Sequence, residues 1–275
     1  MNIRPEEPRI TDEDQRQYDA WLEECELWAQ THIHRRRFHW AKNVVEEMTR
    51  KCDRPYISWS GGKDSTVLVH LVCVEMGLDV PVASLVTDIE PPRTEQYMRR
   101  LSDQWGVDLT IIRPEVSFLE WLEEHADEVD LYSQVATGHT AIGGIWDDTI
   151  RQWESESTYT GNYWGIRRDE SRGRELNYRR RGAVYQMANG YWRAAPLSGW
   201  EAKDIFGYCA THDVELMRLY RCVRLVDDPG RVRKSMLLPD DKGGQSHDQG
   251  IWLRTYYPSV FEKLKSILPQ MQALT

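Results

Sequence analysis

Seven consecutive residues, Ser60-Gly61-Gly62-Lys63-Asp64-Ser65-Thr66, concentrate the groups that hold a phosphate. Adjacent glycines can take positive φ and bring bare N–H groups close to an anion. Lys63 adds a positive charge, and Ser60, Ser65 and Thr66 add hydroxyls. The spacing is not that of a Walker P-loop, G-x-x-x-x-G-K-[ST], because Gly61 and Gly62 are adjacent and Asp64 follows Lys63. A plain turn before a buried helix would use Gly-Gly but needs neither Lys63 nor the flanking serines.

The neighbouring sequence supplies the elements that position this stretch. Tyr56-Ile57-Ser58-Trp59, after Pro55, has the length and β-branched and aromatic content of a buried strand. Val67 to Met76 is almost continuously apolar and predicts a helix buried on most of its surface. A strand, a Gly-rich turn and a helix N-terminus together form an anion site. Further strands are expected at Val82-Ala83-Ser84-Leu85-Val86 and Leu109-Thr110-Ile111-Ile112, with an amphipathic helix over Thr94 to Gln104 between them. That alternation predicts a parallel sheet with right-handed crossovers and ligands at the carboxyl ends of its strands. Ser60 and Asp88 both fall at such ends.

The Ser60–Ser65 stretch matches the S-G-G-x-D-S signature of the PP-loop ATP pyrophosphatases. With Lys63 and Thr66 it resembles the phosphoadenosine-phosphosulfate (PAPS) reductase and ATP-sulfurylase small-subunit family. The resemblance covers roughly residues 40 to 220. Asp88 and Glu95 reproduce the acid-to-acid spacing of the family's D-T-G-x-x-F-P-E-T loop, although Ile89, Glu90 and Pro91 depart from it. Tyr163 to Arg172 resembles the G-x-R-x-x-E/Q-S segment, which implies that Arg167, with Ser171, faces the nucleotide and that Arg172 assists. A guanidinium is a fork of donors suited to phosphate or sulfate. Pro196-Leu197-Ser198-Gly199-Trp200 followed by Asp204 to Tyr208 resembles a further, structural segment.

The implied fold class is α/β, an adenine nucleotide α-hydrolase-like parallel sheet with helices on both faces. The resemblance implies that ATP or PAPS binds Ser60, Gly61, Gly62, Lys63, Asp64, Ser65 and Thr66, with Mg²⁺ shared by Asp64 or Asp88. Lys63 and Arg167, expected to be exposed in a cleft, are the implied catalytic residues. With ATP the reaction would break the bond between the α and β phosphates. The family's terminal E-C-G-L-H segment is missing, since no cysteine follows Cys222. A reductase would therefore need Cys222 or an external thiol. A third alternative is a non-catalytic nucleotide-binding subunit, and likeness to the sulfurylase small subunit implies a protein partner. The acceptor, whether sulfate, tRNA, DNA or a small molecule, is not encoded legibly.

The rest of the chain sets bounds. Its 275 residues suit one large domain with extensions: a helical arm at 1–51, the nucleotide-binding domain at 52–222, and a basic loop and final helix at 223–275. The formal net charge of −9 argues against a broad non-specific nucleic-acid surface, although local basic clusters can still grip a ligand. Cys25, Cys52, Cys73, Cys209 and Cys222 are scattered without C-x-x-C spacing, which predicts reduced thiols in a cytoplasmic protein and no iron–sulfur cluster. No apolar leader or membrane span is expected.

Thr11 is expected to cap a first helix carrying Tyr18, Trp21, Leu22 and Cys25 inward. A second helix is expected from about Arg36 to Lys51. These two helices could pack beside the nucleotide domain or form a homo-oligomer interface. The Arg35-Arg36-Arg37 run, with His32, His34 and His39, reads as a solvated helix start or a phosphate-facing patch rather than a metal site. Helices are also expected around Phe118, Trp121 and Leu122, over Ile142 to Glu154, and from Pro258, with a short strand and turn at Gln134 to His139. Asn189-Gly190 marks a hairpin. Ser198 and Glu201 stand at capping-box spacing before a helix. The basic run Arg231-Val232-Arg233-Lys234-Ser235 reads as solvated by default, with a lid over polyphosphate as the alternative.

Overall fold

The computed structural model describes residues 6–128, 137–237 and 246–274. The chain opens with α1 (Asp12–Ala29) and α2 (His32–Lys51). Thr11 caps α1 as expected, its hydroxyl accepting from the Asp14 N–H while the Asp14 carboxylate accepts from the Thr11 N–H. Thr31 caps α2, which therefore starts earlier than apolar periodicity alone predicts.

The sheet consists of β1 (Pro55–Ser58), β2 (Val82–Leu85), β3 (Leu109–Ile112), β4 (Gly161–Trp164), β5 (Val184–Gln186) and β6 (Trp192–Ala194), in spatial order β3-β2-β1-β4-β6-β5. Every neighbouring pair is parallel except the β5–β6 hairpin around Asn189-Gly190. Alternation along β1 sends Tyr56 to one face, against Ala83 and Ile112, and Ile57 to the main core on the other. Ile150 and Trp153 of α6 (Thr137–Glu156) cover the first face. The second is covered by α2, α3 (Lys63–Val69) and α8 (Ala202–Thr211). Helices thus flank a mostly parallel sheet on both sides.

The crossovers contain α4 (Thr94–Trp105), α5 (Phe118–Glu124) and α7 (Arg172–Arg181), and the chain closes with α9 (Ser246–Tyr256) and α10 (Pro258–Ile267). The apolar run after Lys63 is not a single α-helix to Met76. It passes into a π-helical turn at His70–Glu75, where His70 Nδ1 lies 2.8 Å from the Tyr208 hydroxyl. Of the strand and turn expected at Gln134 to His139, the first part lies outside the described residues, and Thr137–His139 belong to α6.

One buried carboxylate ties the N-terminal helices to the sheet domain. Asp204, with no exposed surface, meets Trp28 Nε1 at 2.8 Å, His34 Nδ1 at 2.9 Å, Arg37 Nη1 at 2.6 Å and the Glu201 N–H at 2.8 Å. His34 and Arg37 are therefore neither solvated nor phosphate-facing, because the charge of Arg37 is needed at Asp204. The same contact corrects the expected Ser198–Glu201 box: α8 is capped by Glu201 with Asp204, three residues later. Burial alone would raise the Asp204 carboxyl, but hydrogen bonds from His34, Glu201 and Trp28 and the charge of Arg37 outweigh it and hold the group below its ordinary value. Its contribution to stability is present above the ordinary carboxyl value of 3.8 and is lost as pH falls through the depressed native one. Asp204→Ala leaves Arg37 with a single carboxylate partner and is expected to cost about 3–5 kcal/mol. Urea denaturation at neutral pH measures this, and a loss below about 1 kcal/mol would contradict the role given to a buried charge partner.

Candidate active site

The chain leaves β1 through Trp59, whose indole N–H donates to Thr66 Oγ1 at 3.0 Å and so fixes α3 against the strand. Gly61 takes φ +73°, where a side chain would be strained and its Cβ would approach the Met98 sulfur to 3.3 Å. Ser60 and Ser65 close the turn, their hydroxyl oxygens 3.0 Å apart, and the Ser60 N–H donates to Ser65 Oγ at 3.2 Å. Gly62 is the N-cap and has no side chain to offer. The first-turn N–H groups of α3 consequently have no acceptor within the helix. One of them, at Lys63, donates to the Tyr220 hydroxyl at 2.7 Å.

Three charges meet beneath this turn. Asp64 Oδ2 lies 3.4 Å from Lys63 Nζ, and Asp64 Oδ1 lies 2.6 Å from Arg167 Nε. The second contact is a charge contact without an aligned hydrogen bond, since Oδ1 has no donor directed at it. Burial alone would raise the Asp64 carboxyl, but Lys63 and Arg167 more than offset it and keep the group ionised. Burial dominates at Lys63, whose ammonium is held below the usual lysine range despite the attraction of Asp64. Arg167 also contacts Asp169 at 2.8 Å and Glu170 at 3.6 Å. Lys63 is 1% exposed and Arg167 3%, so neither stands open in a cleft as expected. The acids around each draw it inward.

A cavity of about 650 Å³ lies over the turn, within the range of small-molecule sites. Ser60, Gly62, Lys63, Asp64 and Ser65 form its floor. Trp164, Gly165 and Ile166, at the carboxyl end of β4, form one wall. This is where the strand order reverses about β1, the switch point at which sheets of this kind bind ligands. Gly165 permits the close approach, because a Cβ there would fall 2.7 Å from Ser65 N and Cα.

The other residues singled out in the sequence lie elsewhere. Asp88 accepts from Ser117 Oγ at 2.8 Å, the Phe118 N–H at 2.9 Å and the Leu119 N–H at 3.0 Å, so its carboxylate caps α5. Glu95 is paired with Arg99 and Arg113. Ser171 caps α7, its hydroxyl accepting from the Arg174 N–H at 3.2 Å, and Thr66 is buried behind the turn. Conversely, Arg174, Arg233, Lys234, Tyr220 and Trp164 line the cavity. Lys234 Nζ reaches the Ser60 carbonyl at 2.5 Å and Glu90 at 2.5 Å, while Lys63 Nζ donates to the Val232 carbonyl at 3.1 Å. Val232 and Lys234 thus pack over the turn, while Arg231 and Ser235 at the ends of the run are exposed. The aromatic, apolar character of the run before Arg167 was the signal that could have placed Trp164; nothing local points to Tyr220.

Fold and site together define a PP-loop protein of the adenine nucleotide α-hydrolase-like class. In agreement, the FMN adenylyltransferase of Candida glabrata in complex with ATP superposes with a TM-score of 0.50 at 15% identity, over 76% of this chain and 68% of that one. The phosphoadenosine phosphosulfate reductase domain model matches residues 54–223, and the chain belongs to that family. Among curated relatives, sulfate adenylyltransferase subunit 2 of Streptomyces lavendulae is 28% identical over 193 residues, 65% of this chain and 60% of the relative. The phosphoadenosine 5'-phosphosulfate reductase of Xanthomonas axonopodis pv. citri is 25% identical over 159 residues, 58% of this chain and 62% of the relative. The chain spans less than two thirds of the length of either. Among the described residues, no helix is long and apolar enough to cross a membrane.

Gly165→Ala is expected to destabilise the protein by about 1–3 kcal/mol through overpacking against Ser65. Gly173→Ala, which meets only Ser171 Oγ at 3.9 Å, is the control and is expected to be neutral or stabilising. Parallel denaturation curves decide, and equal behaviour of the two variants would contradict the contact.

Proposed function

We propose that this chain is an enzyme that binds ATP in the cavity over Ser60–Ser65 and cleaves it between the α and β phosphates in sulfur metabolism or sulfur transfer. One observation carries the reading: a glycine turn at the switch point of a parallel sheet, facing a cavity lined by Lys63, Arg174, Arg233 and Lys234. Lys63, Lys234 and Arg174 are paired there with Asp64, Glu90 and Glu170, while among the described residues Arg233 makes no ion pair. A polyphosphate supplies the anion that Arg233 lacks.

In the reaction a nucleophile of the acceptor attacks the α-phosphorus. The bond formed joins acceptor to phosphorus, and the bond broken joins that phosphorus to the bridging oxygen. Pyrophosphate leaves with the electron pair, the acceptor carries AMP, and its proton passes to water. Positioning and charge neutralisation supply the rate enhancement. The turn N–H groups and the hydroxyls of Ser60 and Ser65 orient the phosphates, while Arg233 and Arg174 balance the charge of the leaving group. Arg167 acts through Asp64, holding that carboxylate in place.

The donor set fits Mg²⁺ that arrives with the nucleotide rather than a dedicated cage, since among the described residues no group of three or more His, Cys, Asp or Glu could hold a metal. Asp64, which is 15% exposed and lines the cavity, is the carboxylate that would hold it. Bound there, the ion would neutralise phosphate charge. Asp88 is committed to α5.

Likeness to the sulfurylase subunit supports a protein partner, and the thiol inventory supports a cytoplasmic setting. A PAPS reductase using Cys222 is disfavoured: that side chain has no exposed surface, does not line the cavity, and burial raises its thiol far above the usual range.

Titration with Mg-ATP and with PAPS, followed by pyrophosphate release, tests the reading. Arg233→Ala is expected to lower kcat/KM for pyrophosphate release on the order of 10²–10³-fold with little change in melting temperature. Arg167→Ala is expected to lower both, because Asp64, Asp169 and Glu170 lose their shared cation. Unchanged kinetics in Arg233→Ala, or tight PAPS binding without pyrophosphate release from ATP, would overturn it.

A further inference from the structure

Helix α7 begins at the mouth of the cavity and packs on the rest of the molecule mainly through Tyr178, whose ring stands edge-on to Trp40 at 6.4 Å. None of its residues is buried, and its sequence, Arg172-Gly173-Arg174-Glu175-Leu176-Asn177-Tyr178-Arg179-Arg180-Arg181, has no apolar stripe. A helix polar on all sides needs a reason other than packing. Arg179, Arg180 and Arg181 sit in the last turn, where the helix dipole favours cations. The dipole does not explain Arg172 and Arg174, which occupy the first turn, where it disfavours them. Arg174 is held below the usual arginine range by partial desolvation at the cavity and by the nearby charges of Arg233 and Arg167.

The acids present do not cancel this charge. Glu175 is shared between Arg168 at 3.8 Å and Arg179 at 2.8 Å, and Glu170 is shared between Arg167 and Arg174. Aromatic rings lie among the guanidinium groups: Arg168 sits 5.3 Å from the Tyr178 ring and Arg181 5.2 Å from the Tyr185 ring. In a chain of formal net charge −9, this is a concentrated basic track with interleaved tyrosines. It runs outward for about 15 Å, the length of ten helical residues. Arg174 and Glu170 at its inner end line the cavity.

We infer that the exposed face of α7 binds the sugar-phosphate backbone of a nucleic acid strand and leads it to the cavity as the acceptor. The acceptor role rests on the adenylylating reading above; the binding surface does not. Arginine forks match phosphodiester oxygens, and tyrosine faces offer stacking to bases, which an acidic protein does not require. The affinity is therefore salt-dependent and tolerant of sequence.

The test uses the full-length protein and fluorescein-labelled strands of roughly 20 nucleotides, one RNA and one DNA of the same sequence, a span longer than a single-strand binding site. Anisotropy is read across about 50–200 mM salt. Wild type is expected to bind, and the triple variant Arg179→Ala, Arg180→Ala, Arg181→Ala to bind at least tenfold more weakly. Its slope of log K against log salt should be shallower by about 2, since each single-strand phosphate contact contributes about 0.7. Thermal stabilisation by Mg-ATP should be equal in the two proteins. Absence of binding by wild type, or unchanged binding by the variant, overturns the inference. Displacement of the strand by polyglutamate at equal charge concentration also overturns it, in favour of an acidic protein partner. If the strand binds through α7 but ATP is not cleaved, the surface stands and the adenylylating reading falls. RNA and DNA arms together identify which strand is preferred.

Discussion

Keeping the largely buried Asp64 carboxylate, 15% exposed at the floor of the cavity, ionised is the constraint on which the site is built. A buried carboxylate needs partners of opposite charge with good geometry. Lys63 and Arg167 provide them, at 3.4 Å and 2.6 Å. Arg167 is held in turn by Asp169 and Glu170, and Glu170 by Arg174, so alternating charge runs from the glycine turn to the first turn of α7. The turn is shaped by glycine conformation, but its electrostatics are set by this chain of ions. Removing one member leaves its neighbours unpaired in a poorly hydrated place.

The fold carries this cluster to the ligand position. β1 and β4 are adjacent and parallel, the chain having crossed from one side of β1 to the other, and their carboxyl ends open a crevice. Gly165 lets β4 close on the start of α3, and Tyr220 and the 229–237 segment close it from above. A second buried acid, Asp204, joins α1, α2 and α8 beside the same core. Both centres couple an acid to an arginine distant in sequence.

Much of this was legible in the sequence where the signal is local. A run of strand residues, two glycines and an apolar helix declare the glycine turn between β1 and α3, because backbone conformation there depends on neighbouring residues. The parallel pairing of β1, β2 and β3 followed from alternating elements, and the Asn189-Gly190 hairpin from its turn chemistry. Illegible parts depend on partners far along the chain. Tyr220 meets Lys63 across 157 residues, and Val232 meets it across 169, with no periodicity to announce either. Nothing local announces that Asp169 and Glu170 neutralise Arg167, which the resemblance turns toward the nucleotide. The Ser198–Glu201 spacing fitted a capping box as well as Glu201–Asp204 does, and only the buried partners of Asp204 decide between them.

Cleavage of ATP between its α and β phosphates is the step that the proposed function requires. Phosphorus-31 magnetic resonance of Mg-ATP incubated with the protein, with and without an oligonucleotide, resolves the products directly. The expected result is pyrophosphate with AMP or an adenylylated acceptor. Accumulation of ADP and inorganic phosphate would place the chemistry at the γ-phosphate and contradict the central claim.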